Sequence, residues 1–122
     1  MASEFVTILH TGHGPAHYDL MIARGQSLAT WQSPADPADL APGQSVAVRP
    51  LPDHRTAYLT YEGPVAGGRG EVRRVHRGRA ETIGDDPTRW RLLLDDETCR
   101  ARFELSRSGS DDSPRWTLTR IE

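Results

Sequence analysis

The sequence contains no lysine; all fifteen of its basic residues are arginine. Seventeen acidic residues outnumber them, and the formal net charge of −2 excludes a polycation that coats nucleic acid by charge alone. Arginine without lysine, in a chain rich in Ala, Gly and Pro, is first a mark of a GC-rich genome. It also supplies the planar, bidentate donors that suit phosphate. Cys99 stands alone, so an internal disulfide and a cysteine-based zinc site are both excluded, and a reducing cytoplasm fits. No apolar run approaches the ~20 residues of a membrane-spanning helix. The first residues carry no charged-then-apolar leader pattern. A cytoplasmic protein without a membrane segment is therefore expected. Helical periodicity is missing as well, which argues against a helical bundle.

What remains is a run of short strands. At 122 residues the chain reads as one domain, residues 1–122, able to bury roughly two-thirds of its unfolded surface. Strands are expected at 5–10, 17–23, 28–31, 45–48, 56–62, 71–75, 80–83, 90–94, 102–105 and 116–121, from β-branched and aromatic runs bounded by turn residues. Pro50 and Pro52 make a stiff, extended approach to Asp53-His54. Turns are expected at 63–70, near Gly78, at Gly84-Asp-Asp-Pro87 and at Asp95-Asp96-Glu97. The segments 33–43 and 106–114 read as loops, each with room for a helical turn. The expected fold is all-β: a small closed or partly open antiparallel barrel with few short helical turns, most simply a monomer.

Residues 5–19, Phe5-Val-Thr-Ile-Leu-His10-Thr-Gly-His13-Gly-Pro-Ala-His17-Tyr-Asp19, hold three of the five histidines. Strand alternation puts His17 and Asp19 on one face, their Cα atoms about 6.6 Å apart, with Tyr18, Leu20 and Ile22 on the other. The turn after the first strand returns His10 beside them. Two imidazoles and a carboxylate make an open site for a divalent metal, Mn²⁺ or Zn²⁺ by donor type. Elsewhere, residues 69–79 carry five arginines, Arg73 among them, with His76 and Glu71. This stretch is either a solvated strand face or a track for a nucleic-acid backbone. Trp31, Trp90 and Trp116 suit the core better than base stacking.

The combination of the strand ending in His10, His17-Tyr-Asp19, Trp31…Pro34 and Asp53-His54-Arg-Thr-Ala-Tyr58-Leu-Thr-Tyr-Glu62-Gly63 resembles the 3′-phosphoesterase module of bacterial DNA ligase D, which also occurs free-standing. Arg115-Trp-Thr-Leu-Thr-Arg120 resembles its ending more weakly, and residues 79–113 carry little of the likeness. The resemblance implies a manganese-dependent β-barrel enzyme. Such an enzyme removes a 3′-terminal ribonucleoside and then a 3′-phosphate, leaving a ligatable end in DNA repair. Its partners would be nucleic-acid 3′ ends and, through them, a ligase or polymerase. Metal ligands carry over to His10, His17 and Asp19, and phosphate contacts to His54 and Tyr58. His54, with a reference pKa near 6.5, can donate to phosphate or protonate a leaving oxygen; otherwise it is a surface histidine bonded to Asp53. Tyr58 is otherwise a core tyrosine.

Three departures bear on this. The family's arginine two residues past the aspartate is Met21 here, and a thioether offers no charged donors. Arg55 and Arg69 are the candidate substitutes. The first turn is one residue longer, so His13 competes with His10 as ligand. By the resemblance, the family's N-terminal arm is expected to be absent and the glycine turn at 63–70 to be shortened. Two other functions follow from these departures: a relative that binds metal and a nucleic-acid end without turnover, and a phosphoesterase of small metabolites.

Overall fold

The computed structural model describes residues 2–83, 86–96, 100–110 and 112–122. Cys99, Gly84-Asp85 of the expected break and Glu97 of the expected hairpin tip lie outside the described residues. Among the described residues nine strands follow in order: β1 (Ala2–Thr11), β2 (His17–Arg24), β3 (Ser27–Ser33), β4 (Ser45–Arg55), β5 (Gly63–Pro64), β6 (Glu71–Ile83), β7 (Arg89–Asp95), β8 (Arg100–Ser110) and β9 (Ser113–Arg120). Eight of them form an antiparallel barrel in the order β1-β2-β3-β4-β9-β8-β7-β6, closed by pairing of β6 with β1. Closure removes the free edges that an open sheet would present. The short β5 pairs only with the start of β6, outside the barrel. Among the described residues no helix is long and apolar enough to cross a membrane.

Every barrel strand sends a buried side chain inward: Phe5, Leu20, Trp31, Val48, Ala80, Leu92, Phe103 and Leu118. Leu40, in the loop between β3 and β4, joins this core, and its carbonyl accepts from Arg120 Nη1 at 2.8 Å. A second apolar cluster lies on the outside of β1, β2, β3 and β6. Val6, Ile8, Met21, Leu28 and Val72 are buried there beneath Tyr58, Leu59 and Val65. Both faces of the β1–β2 hairpin are thus covered.

That second cluster explains one departure from the expected strands. Residues 56–62 do not form a strand; Thr56–Leu59 is a 3₁₀ turn. A strand would send the adjacent Tyr58 and Leu59 to opposite faces, whereas both pack on the outer cluster. A strand over 56–62 would also set Tyr61 on the face opposite Tyr58; instead their rings meet edge-on with centroids 5.8 Å apart. The expected turn near Gly78 is absent, and β6 runs straight through it. A Cβ at Gly78 would lie 2.1 Å from the Asp95 carbonyl oxygen, so this glycine admits a close neighbouring backbone. Residues 106–114 are mostly strand, since β8 and β9 pair as far as Ser110↔Ser113. Polar side chains do not prevent main-chain pairing at a barrel rim. The 33–43 loop holds the expected helical turn, at Pro37–Asp39, capped by Asp36 Oδ1 accepting from Ala38 N at 3.0 Å.

Candidate metal centre

The β1–β2 hairpin places the three proposed ligands by register. His10 lies opposite His17, and Ile8 opposite Asp19, so all three side chains leave the outer face. One ligand atom from each of His10, His17 and Asp19 falls within 4.8 Å of the others. His17 Nε2 stands 3.5 Å from Asp19 Oδ1, and the rings of His10 and His17 meet edge-on at 4.8 Å. His13 is exposed on the turn, its ring stacked on that of His10 at 6.2 Å, and it is not part of the group.

Asp19 is the electrostatic centre of the arrangement. It is 4% exposed, and its Oδ1 has no hydrogen-bond partner. Burial pushes its carboxyl above the ordinary value of 3.8, while His17, His54 and His10 pull it back down. A buried carboxylate oxygen left without a donor is costly. Here it faces two half-buried imidazoles, the donor set of an open divalent-cation site. The residues present fit a metal of that kind.

His54 reaches the same face from β4, opposite Leu28. Its Nδ1 donates to the Pro52 carbonyl at 2.9 Å, and its ring meets Tyr58 edge-on at 5.4 Å. Asp53 does not hold it; that carboxylate accepts from Ser27 Oγ at 2.9 Å. Tyr61 donates its hydroxyl proton to the Pro64 carbonyl, tying the 3₁₀ turn to β5.

The arginines divide. Arg55 is exposed at the end of β4, beyond His54. Arg69 is exposed as well: its Nε donates to the Ala66 carbonyl at 2.8 Å, and its own carbonyl accepts from His10 Nε2 at 2.6 Å. Arg73 lies opposite Leu9, on the face away from the histidines, so it does not belong with the group. Arg74 takes that place. It lies opposite Ile8, donates through Nη1 to the Leu59 carbonyl at 3.3 Å, and its backbone N–H donates to Glu62 Oε2 at 3.1 Å. A register shift between Thr7 and Ile8 decides which of the two arginines faces the site, and composition carries no signal for that. Met21 is 1% exposed and packed under Tyr58 and Leu59.

The remaining histidine and the tryptophans serve the barrel. His76 points inward between two carboxylates, Asp36 Oδ2 at 3.0 Å and Asp96 Oδ2 at 2.8 Å. Trp31 meets Trp90 at 4.9 Å and Trp116 at 6.1 Å inside the barrel, away from the histidine face. Compared with known proteins, the chain matches no family model and no curated protein sequence.

Proposed function

We propose that this protein is a metal-dependent phosphoesterase that processes the 3′ ends of nucleic acid, removing a terminal ribonucleoside and a 3′-phosphate. The observation that carries the reading is the buried Asp19 oxygen, without a hydrogen-bond donor, facing His10 and His17 on a rigid hairpin. Support comes from the resemblance of residues 5–34 and 53–75 to the 3′-phosphoesterase module of ligase D. His54 and Tyr58, the phosphate contacts which that resemblance implies, stand together on the same face.

His10, His17 and Asp19 would hold a divalent cation, Mn²⁺ by the resemblance. When bound, it supplies positive charge against a phosphoester oxygen and favours attack at phosphorus. His54 keeps its Nδ1 proton on the Pro52 carbonyl, which leaves Nε2 to exchange a proton with a phosphate or leaving oxygen. The Tyr58 hydroxyl adds a neutral donor, and Arg55 and Arg69 add charge at the rim. In this reading the protein works in the cytoplasm on ends prepared for a ligase or polymerase.

A second reading is favoured by Met21. No guanidinium occupies the position two residues past Asp19, because that side chain is sealed in the outer cluster. A protein that grips metal and a nucleic-acid end without turnover would need none there. The test is incubation with Mn²⁺ and a primer ending in a ribonucleotide or a 3′-phosphate. The first reading expects a shortened or dephosphorylated 3′ end that His17→Ala abolishes. Salt-sensitive binding of the primer with no product would support the second instead. A folded protein that does neither would refute both.

A further inference from the structure

The loop 63–70 contains no acid and no histidine, yet it touches the candidate centre through its main chain. The Arg69 carbonyl accepts from His10 Nε2 at 2.6 Å. A carbonyl has no proton to give, so Nε2 carries one. A neutral imidazole has only one N–H, which leaves the lone pair of His10 on Nδ1. His17 is set the other way: its Nδ1 donates to the Pro15 carbonyl at 3.2 Å, leaving Nε2 open towards Asp19.

The loop itself is held firmly. Val65 N donates to the Gly70 carbonyl at 2.8 Å, and Gly63 pairs with Val72. Gly70 then lies directly against the β1–β2 turn. A Cβ on it would sit 2.0 Å from the Thr11 carbonyl oxygen and 2.9 Å from the Gly12 carbonyl carbon, and its φ is +78°. Main chain meets main chain there only because that side chain is missing.

We propose that the loop 63–70 is a positioning element of the metal centre: the Arg69 carbonyl, brought in by Gly70, fixes His10 in the tautomer that presents Nδ1, while Pro15 makes His17 present Nε2. This rests on the metal reading above and names the ring atom each histidine offers. Backbone carbonyls behind metal-ligating imidazoles set the tautomer and aim the ring in this way. The Arg69 side chain is not needed for the contact, since the acceptor belongs to the main chain.

The test is ¹⁵N NMR of the histidine rings, first metal-free and then titrated with Zn²⁺. Metal-free His10 is expected as the Nε2–H tautomer, and Zn²⁺ should perturb His10 Nδ1 and His17 Nε2. Gly70→Ala should weaken Zn²⁺ binding by about 10- to 100-fold and mix the His10 tautomers. Gly68→Ala is the control. It carries a similar φ of +68° but meets nothing within 4 Å, and its Zn²⁺ affinity should stay close to that of the unsubstituted protein. A metal-free His10 protonated at Nδ1, or Zn²⁺ acting on His10 Nε2, would overturn the positioning role while leaving the metal reading intact. Equal affinities for the two variants would do the same. Zn²⁺ that perturbs neither histidine would overturn the metal reading, and this role with it. The measurement on the unsubstituted protein decides the matter even if Gly70→Ala does not fold.

Discussion

Removing the charge of Asp19 is expected to stabilise the metal-free protein. The carboxyl is 4% exposed, and its Oδ1 lacks a donor. Burial raises its pKa above 3.8 in the folded state. Between 3.8 and that raised value the folded chain keeps a proton that the unfolded chain has lost, so stability falls as pH rises through this window. Above the window the whole penalty is present. An unpartnered buried polar group costs about 1–3 kcal/mol. Asn keeps the shape and drops the charge, though its amide still lacks a full set of partners. Asp19→Asn should therefore gain about 1 kcal/mol in the presence of chelator, a rise of roughly 3–5 °C in Tm for a domain this size. Metal at about 100 times its Kd adds about 2.7 kcal/mol to a protein that binds it and nothing to one that does not. The order of stabilities should thus invert: Asn above Asp with chelator, Asp above Asn with Mn²⁺. Urea denaturation of both proteins under both conditions reads this directly. An Asn variant weaker than the parent in chelator, or equal gains from Mn²⁺, would contradict a charge penalty at Asp19 relieved by metal.

Other expectations follow from the same geometry. Burial alone would lower the pKa of His76, but hydrogen bonds and charge from Asp36 and Asp96 outweigh it and hold the value above 6.5. Their contribution is full below 6.5 and is lost as pH rises through the folded value, so the urea midpoint should fall across that interval and His76→Gln should flatten the slope. Met21→Arg, which puts a guanidinium two residues past Asp19, should cost about 3 kcal/mol or more, because it places an unpaired charge in the outer cluster; a stability like that of the parent in a urea titration would contradict the packing described for Met21. Arg55→Ala and Arg69→Ala should each lower the salt slope of oligonucleotide binding by about one, whereas Arg73→Ala should leave it unchanged, as fluorescence anisotropy across a salt series can show.

Much of the barrel and of the metal group was legible because alternation is local. Phe5–His10 and His17–Ala23 each announce their two faces, and one turn suffices to bring His10 back to His17. The rest depends on partners far along the chain. Tyr58 and Leu59 share a surface only because the outer cluster is there to receive both, and nothing within residues 56–62 signals it. The choice of Arg74 over Arg73 turns on one register shift between β1 and β6. His76 meets acids 40 and 20 residues away, Asp36 and Asp96, which only barrel closure brings together. The Arg69 carbonyl is invisible in principle, since every residue type has one. Even so, the glycines around it were a trace of the close approach they permit.

His10, His17 and Asp19 are proposed to grip a divalent cation. Calorimetric titration of Mn²⁺ into the metal-free protein, its His17→Ala variant and its His13→Ala variant tests this most directly. One binding site in the parent, none in His17→Ala and an unchanged site in His13→Ala is the predicted result. No binding by a folded parent protein, or binding that survives His17→Ala and vanishes with His13→Ala, would contradict it.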